Sequence, residues 1–269
     1  MIADPTNLYY LLSMRCNERC SKCDHWQVGR DGAMPTVEAV VAFARALPAL
    51  KELCLVGGEP LLHGERVLAL IDGLADTAVR TIIVTNGTAC TPRFLDRLRG
   101  RNVHLVFSID TLDPEFWKFV RGRPSFERVM ANFEHARQVL APAQISVQSV
   151  LAAETVDHVA AVGQWCRALG VHHSVQDYVQ QGFNGRWTPL VRPDEAPSER
   201  CLAAGRNLSI MPDGAVFTCF QQPLIPDCEA PLGQIGEAPS AMLRSAYAQA
   251  VVEHMRACDR PCKVLKCNS

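Results

Sequence analysis

Cys16-Asn17-Glu18-Arg19-Cys20-Ser21-Lys22-Cys23 places three thiols, spaced CxxxCxxC, on one short loop. Three thiolates hold three irons of a 4Fe-4S cubane and leave the fourth iron open, whereas an electron-transfer cluster takes four. A zinc site is the other use of such spacing. It closes with a fourth Cys or His at short range, and His25 stands two residues beyond the loop. The loop follows an apolar, aromatic run over 8–12 that reads as a strand. A second strand, over 52–56, ends in Gly57-Gly58-Glu59-Pro60.

Outward from these two stretches, strand and helix patterns alternate with little interruption. Residues 36–46 read as a helix capped by Thr36, with Val37, Val40, Val41 and Ala44 at helical spacing. Helices over 65–75 and 92–99 separate strands over 52–56, 81–85 and 103–109. Helical pieces over 114–120 and 125–140 are split by Arg121-Gly122-Arg123-Pro124, and strand 144–150, helix 156–169 and strand 172–179 follow. Such alternation implies a parallel sheet with crossover helices.

At 269 residues the chain suffices for one large domain or one plus an appendage. A net charge of −1 without long Lys/Arg runs leaves no footprint for nucleic acid or for an anionic membrane. The sequence shows neither a signal-peptide h-region nor a membrane-length apolar stretch, so a cytoplasmic location is expected. In a reducing compartment the twelve cysteines are thiols or metal ligands rather than disulfides.

The CxxxCxxC loop after a first strand, with GGEP after the second, resembles the radical S-adenosylmethionine (SAM) superfamily over residues 8–179. That resemblance implies a partial (β/α)6 TIM-like barrel, with the site at the C-terminal strand ends. It implies a 4Fe-4S cluster on Cys16, Cys20 and Cys23 whose open iron chelates SAM, and a GGEP segment that contacts the methionine amino group. The family usually carries an aromatic residue before the third cysteine; this chain has Lys22, with Trp26 the nearby aromatic.

Further SAM contacts are expected at strand ends, beside Gly57, Gly58, Glu59 and Pro60. Glu59 either accepts from the SAM ammonium or caps a backbone group, and Asn86 either faces SAM or serves the Asn-Gly turn. Ser108 and Asp110 share one face by the strand period, looking at the ribose and methionine by resemblance, although Asp110 also suits a turn cap. Gln148 is a polar residue in an apolar run, and a buried amide needs a partner.

After 179 the periodicity ends in a Pro- and Gly-bearing loop. Cys201, Gly214 and Cys219 then form C-x12-G-x4-C around a hairpin with Pro212-Asp213-Gly214 at its turn. A helix over 240–256 precedes Cys258, Cys262 and Cys267. The arrangement resembles the Twitch domain, the shorter relative of the SPASM domain, and implies a second, auxiliary 4Fe-4S cluster. Its ligands would be Cys201, Cys219 and two of the terminal three, the spacing leaving open which two and whether Cys228 takes part, with a zinc staple as the other use of the spacing. The expected division is a barrel over 1–185 and an auxiliary-cluster domain over 186–269.

By resemblance, reductive cleavage of SAM gives a 5'-deoxyadenosyl radical that abstracts hydrogen from a substrate C–H. The electron comes from a reductase such as flavodoxin or ferredoxin. Only seven residues precede the first strand, so no fused leader-peptide recognition domain is expected, and the compact tail resembles enzymes acting on aminoglycosides and aminocyclitols. The expected substrate is an amino sugar or aminocyclitol, oxidised or epimerised at a carbinol carbon, with peptide maturation and a non-enzymatic iron-sulfur protein as the other classes. Asp177, Tyr178, Asn184 and Arg186 are expected near substrate, Asp177 first, although the strand period turns it toward or away from the barrel equally well. Epimerisation needs a thiol donor, for which Cys228 is the first candidate and the terminal cysteine not used by the auxiliary cluster the second; Cys90, after a strand-end turn, could also reach the cleft, and with such thiols present epimerisation is the favoured outcome. Cys54 and Cys166 read as buried small hydrophobes.

Overall fold

The computed structural model describes residues 4–28, 30–178, 185–190 and 204–257. The strands are β1 (Asn7–Ser13), β2 (Glu52–Gly57), β3 (Arg80–Thr85), β4 (Val103–Ser108), β5 (Ile145–Leu151) and β6 (His172–Asp177), then β7 (Asn207–Ile210), β8 (Ala215–Phe217) and β9 (Gly233–Gln234). They form one sheet in the order β6-β5-β4-β3-β2-β1-β7-β8-β9. Strands β1 to β6 pair in parallel with their sequence neighbours, as the alternating pattern implies. The hairpin expected near the C-terminus is present, and β7 pairs in parallel with β1, so the sheet runs on through it.

The helices are α1 (His25–Val28), α2 (Val37–Arg45), α3 (Gly64–Gly73), α4 (Pro92–Asp96), α5 (Pro114–Arg121), α6 (Phe126–Val139), α7 (Val156–Leu169), α8 (Pro239–Arg244) and α9 (Ala246–Arg256). Their ends follow local chemistry. Thr36 accepts from the Ala39 N–H to start α2, and Asp113 caps α5 through the N–H groups of Glu115 and Phe116. Gly122 ends α5 at φ 62°. The single helix expected over 240–256 is two, because Ser245 leaves the helical conformation and caps α9 through the Ala248 N–H.

The strand period assigns the two faces of the sheet. On β4, Val103, Leu105 and Phe107 are buried toward the helices, while His104, Val106 and Ser108 are half-buried on the other face. The main core joins the first face to α2, α3, α6, α7 and the C-terminal helices. A smaller cluster of Leu11, Cys54 and Val56 fills the inner face, with Tyr9, Ile82, Val84 and Phe220 against it. That packing fixes the C-terminal strand ends around a cleft. Among the described residues no helix is long and apolar enough to cross a membrane.

Candidate active site

The two glycines of Gly57-Gly58-Glu59-Pro60 bring the end of β2 against the chain leaving β1. Gly58 N–H donates to Ser13 O at 2.7 Å, and Glu59 N–H to Arg15 O at 2.8 Å. A Cβ on Gly58 would lie 2.2 Å from Arg15 O, and one on Gly57, at φ 139°, would lie 2.3 Å from Ser13 O. Only glycine permits that approach, and it sets where the cysteine loop begins.

Glu59 is fully buried. Its Oε1 accepts from the Leu61 N–H at 3.0 Å and the Thr85 hydroxyl at 2.7 Å, and its Oε2 accepts from the Asn86 N–H at 2.7 Å. Burial raises its pKa to about 7. The backbone-capping role is the one the geometry displays, and Glu59 and Pro60 stand behind the cleft wall rather than on it. Asn86 lies on the wall. Its Nδ2 donates to Asn17 Oδ1 at 2.9 Å and reaches Cys16 Sγ at 3.8 Å, tying the end of β3 to the loop.

The cleft encloses about 230 Å³, with Cys16, Cys20 and Cys23 along one side. Gly57, Gly58, Asn86, Ser108 and Gln148 line it, as the sequence suggests, and Gln148 Nε2 donates to Gln176 Oε1 at 3.1 Å. Burial pushes the Cys16 thiol up to about 12 and raises that of Cys23, while His25, beside Cys23 at 3.2 Å, is lowered to about 4 by burial.

Asp110 is fully buried behind Lys22 and Arg121, at 2.5 Å from Lys22 Nζ and 3.0 Å from an Arg121 Nη2 atom, and accepts the Val150 N–H at 2.8 Å. Burial opposes its charge, and the two cations overcome that, holding its carboxyl below the usual range. Arg121 also donates to Ser108 O and approaches Cys20 Sγ at 3.8 Å. Lys22 sits 5.4 Å from the centre of the Trp187 ring. Trp187 arrives from the segment after β6 and donates through Nε1 to Ser21 Oγ at 2.9 Å, with Gly185 N–H bonded to Lys22 O at 2.7 Å.

Gln176, next to Asp177, lines the cleft, and the strand period puts Asp177 on the opposite face. Tyr178 is buried, donating its hydroxyl to Gly185 O at 2.5 Å, and Arg186 is exposed. Cys228 is 3% exposed and packs in the main core rather than on the cleft; Cys90 is likewise buried. Cys219 is half-buried against that core. Cys201, Cys258, Cys262, Cys267 and Asn184 lie outside the described residues. Glu18, Arg121 and Gln176 also line the cleft, and nothing local in the sequence marks them, because their placement depends on how distant segments meet.

The donors fit a cluster and SAM. Among the described residues no three His, Cys, Asp or Glu side chains converge as a single metal ion requires, while three thiols along one wall suit a cubane whose irons each take their own ligand. Two N–H donors, on Asn86 and Arg121, approach cluster-ligand sulfurs, an arrangement that tunes such centres. Glu18 Oε2 and Trp26 Nε1 are buried on the cleft wall without a hydrogen-bond partner among the described residues, an acceptor and a donor that a polar ligand satisfies.

Comparison with known proteins agrees with this geometry. The chain is 30% identical over 152 residues to the AdoMet-dependent heme synthase of Methanosarcina barkeri, covering 53% of this chain and 42% of that protein. It spans about half the length of the curated relatives it matches. Streptococcus suis SuiB bound to S-adenosylmethionine superposes with TM-score 0.77 at 14% identity, covering 93% of this chain and 68% of SuiB. BtrN in complex with AdoMet and 2-DOIA superposes with TM-score 0.58 at 14% identity, covering 95% of this chain and 89% of BtrN. These likenesses show the fold, and the family pattern matched over residues 10–166 shows the membership: the chain belongs to the radical SAM superfamily, whose members use SAM and a 4Fe-4S cluster.

Proposed function

We propose that this protein uses SAM to abstract hydrogen from a carbinol C–H of a small polyhydroxylated substrate of the amino sugar or aminocyclitol type, and that the outcome is two-electron oxidation to a ketone. The observation that carries the reading is the cleft itself, lined by three thiols and by the Gln148–Gln176 amide pair. The cluster with SAM bound supplies one-electron cleavage of SAM and hydrogen-atom abstraction. The protein's own residues hold and orient. Cys16, Cys20 and Cys23 ligate, Asn86 and Arg121 steady the loop, and Gln148 and Gln176 offer amide donors and acceptors that match hydroxyl and amine groups. Burial by the inner apolar cluster and Trp26 keeps water from the reacting carbon.

Against the expectation of epimerisation, oxidation is supported by the burial of Cys228 and Cys90, since a hydrogen donor has to reach the cleft; the remaining donor candidate, a terminal cysteine, lies outside the described residues. Cys201, Cys219 and two of Cys258, Cys262 and Cys267 complete the reading as an auxiliary 4Fe-4S cluster that accepts the second electron. The match in length to BtrN supports a small-molecule substrate. SuiB, also solved bound to its precursor peptide SuiA, supports peptide modification as the second reading.

Anaerobic incubation with SAM, reductant and a panel of aminoglycosides in deuterated water tests both. 5'-Deoxyadenosine release with an unlabelled ketone is the expected result. One deuterium at an inverted carbon would mean epimerisation, and release only with peptides would favour the second reading.

A further inference from the structure

The chain that leaves β1 through the cysteine loop comes back to its own start at Asp31. Asp31 Oδ1 accepts from the Met14 N–H at 2.8 Å and from the Ser13 hydroxyl at 2.9 Å, 17 and 18 residues back along the chain. Ser13 is fully buried, and its Oγ in turn accepts from the Arg15 N–H at 3.0 Å. One carboxylate therefore closes a loop whose interior holds Cys16, Cys20 and Cys23. Its other oxygen, Oδ2, faces His63 Nε2 at 3.2 Å, and His63 ends the 3-10 turn Pro60–His63 that follows Gly58 and Glu59. The Asp31 side chain is 9% exposed and that of His63 20%, so this three-way junction lies largely out of water. The segment beyond it is tied down separately, by Arg66, which donates to Pro35 O and to the Tyr10 hydroxyl.

A carboxylate suits the junction, because it only accepts and has lone pairs enough for every donor aimed at it. Ser13 and Met14 set where the cysteine loop starts, and His63 belongs to the turn beyond the glycine pair. Between Cys23 and Asp31 lie His25 and Trp26, which line the cleft. A loop held at both ends confines what lies between, and contacts one step out from a metal centre govern how well it binds its ligands. We infer that Asp31 is a positioning residue for SAM binding: it latches the cysteine loop to the turn after Gly58, so that the three ligand thiols and the end of β2, which together receive SAM, are held in register. The inference rests on the cofactor reading above. Backbone bonds from Gly58 to Ser13 and from Glu59 to Arg15 already join the outgoing leg of the loop to the end of β2. Asp31 adds the returning leg, which those bonds do not touch.

Three variants of the anaerobically reconstituted protein test this. Asp31→Ala removes the latch, Asp31→Asn keeps an oxygen for Ser13 and Met14, and His63→Leu cuts only the arm to the turn. SAM binding is measured by calorimetry and by the change that SAM causes in the electron paramagnetic resonance spectrum of the dithionite-reduced cluster. Iron content and far-ultraviolet circular dichroism are read on the same samples. Asp31→Ala is expected to bind SAM about 10-fold more weakly, with less iron and an altered spectral response. His63→Leu should keep its iron and lose about 3-fold in SAM affinity. Asp31→Asn should stay within about 2-fold of the wild type at about pH 8, since a neutral imidazole can accept from its amide. Should Asp31→Ala fail to fold, the other two variants still carry the test. Normal SAM affinity and spectral response in His63→Leu and in the clusters that Asp31→Ala retains would overturn the inference, leaving Asp31 a structural tie alone. An Asn variant as impaired as the Ala variant would overturn it too. A wild-type cluster whose spectrum SAM does not change would overturn the cofactor reading itself, a failure seen without any variant.

Discussion

Glu59 Oε2 accepts the backbone N–H of Asn86 at 2.7 Å, so a buried carboxylate at the end of β2 fixes the residue that holds the cysteine loop from β3. The chain of contact runs from Glu59 to Asn86, from Asn86 Nδ2 to Asn17 at 2.9 Å, and to the Cys16 sulfur at 3.8 Å. Disturbance at Glu59 is therefore expected to appear in the loop.

Glu59→Gln presents one oxygen and one amide nitrogen where two oxygens stood. With the oxygen toward Asn86 and the nitrogen donating to Thr85, the Leu61 N–H faces a second donor. A buried, unsatisfied donor costs about 1–3 kcal/mol. Urea melts of the cluster-free protein at about pH 5 should show that loss, and reconstituted variant should bind less iron.

The same carboxyl makes stability depend on pH. Burial raises Glu59 from 4.5 to about 7, so the folded state holds the proton more tightly than the unfolded one. Its contribution is full below the unfolded value and is lost as pH rises through the folded one, by about 3 kcal/mol in all. The wild type's advantage over Glu59→Gln should be largest near the acid end of that window and shrink toward its top. A stability difference constant across it would remove Glu59 as the titrating group.

Much of this was legible in the sequence, because local chemistry dictates it. The Thr36 cap and the alternation on β4 each follow from a few neighbouring residues. The cleft position of Ser108 followed from the strand period and that of Gln148 from its being polar in an apolar run, whereas Asp110, assigned to the face of Ser108, is buried behind Lys22 and Arg121. What escaped depends on distant segments meeting. Trp187 reaches Ser21 across the fold, Arg121 reaches Cys20, and Cys228 is drawn into a core whose depth no local pattern records. Asp177 was open for a simpler reason: a period of two has two phases, and only the pairing of Val150 with Gln176 selects one.

Gly58→Ala should damage the loop more than its size suggests. Its Cβ would sit 2.2 Å from Arg15 O and 2.9 Å from Met14 O, and both neighbours are backbone atoms with little room to yield. Overpacking of this kind costs about 1–3 kcal/mol. Lower iron content at unchanged far-ultraviolet circular dichroism is the expected outcome, and full iron loading would show that the strand end can spread.

Trp187 pins the loop from the opposite side. Trp187→Phe keeps a ring near Lys22 but loses the bond to Ser21, costing about 1 kcal/mol. Trp187→Ala removes a ring that is 3% exposed, for about 3–5 kcal/mol. Iron release to a chelator should be faster in the Ala variant than in the Phe variant. Identical release from all three proteins would mean that the segment rests on the loop without holding it.

Asp110 is the residue whose loss should be hardest to absorb. It is fully buried and serves two cations at once, Lys22 at 2.5 Å and Arg121 at 3.0 Å, along with the Val150 N–H. Asp110→Asn leaves both cations facing a neutral amide. Removing one partner of a buried pair costs about 3–5 kcal/mol. Lys22→Met differs, since it withdraws one cation and leaves Asp110 and Arg121 matched one to one. The thioether then lies against Trp187 in place of an ammonium whose charged form burial already disfavours. Lys22→Met should therefore stay within about 1 kcal/mol of the wild type. Urea melts at neutral pH measure both variants. In Asp110→Asn the unpaired Arg121 should also turn further toward the Cys20 sulfur, altering the cluster's spectrum. Equal stability of the two variants would mean that the charge of Asp110 is not what the two cations depend on.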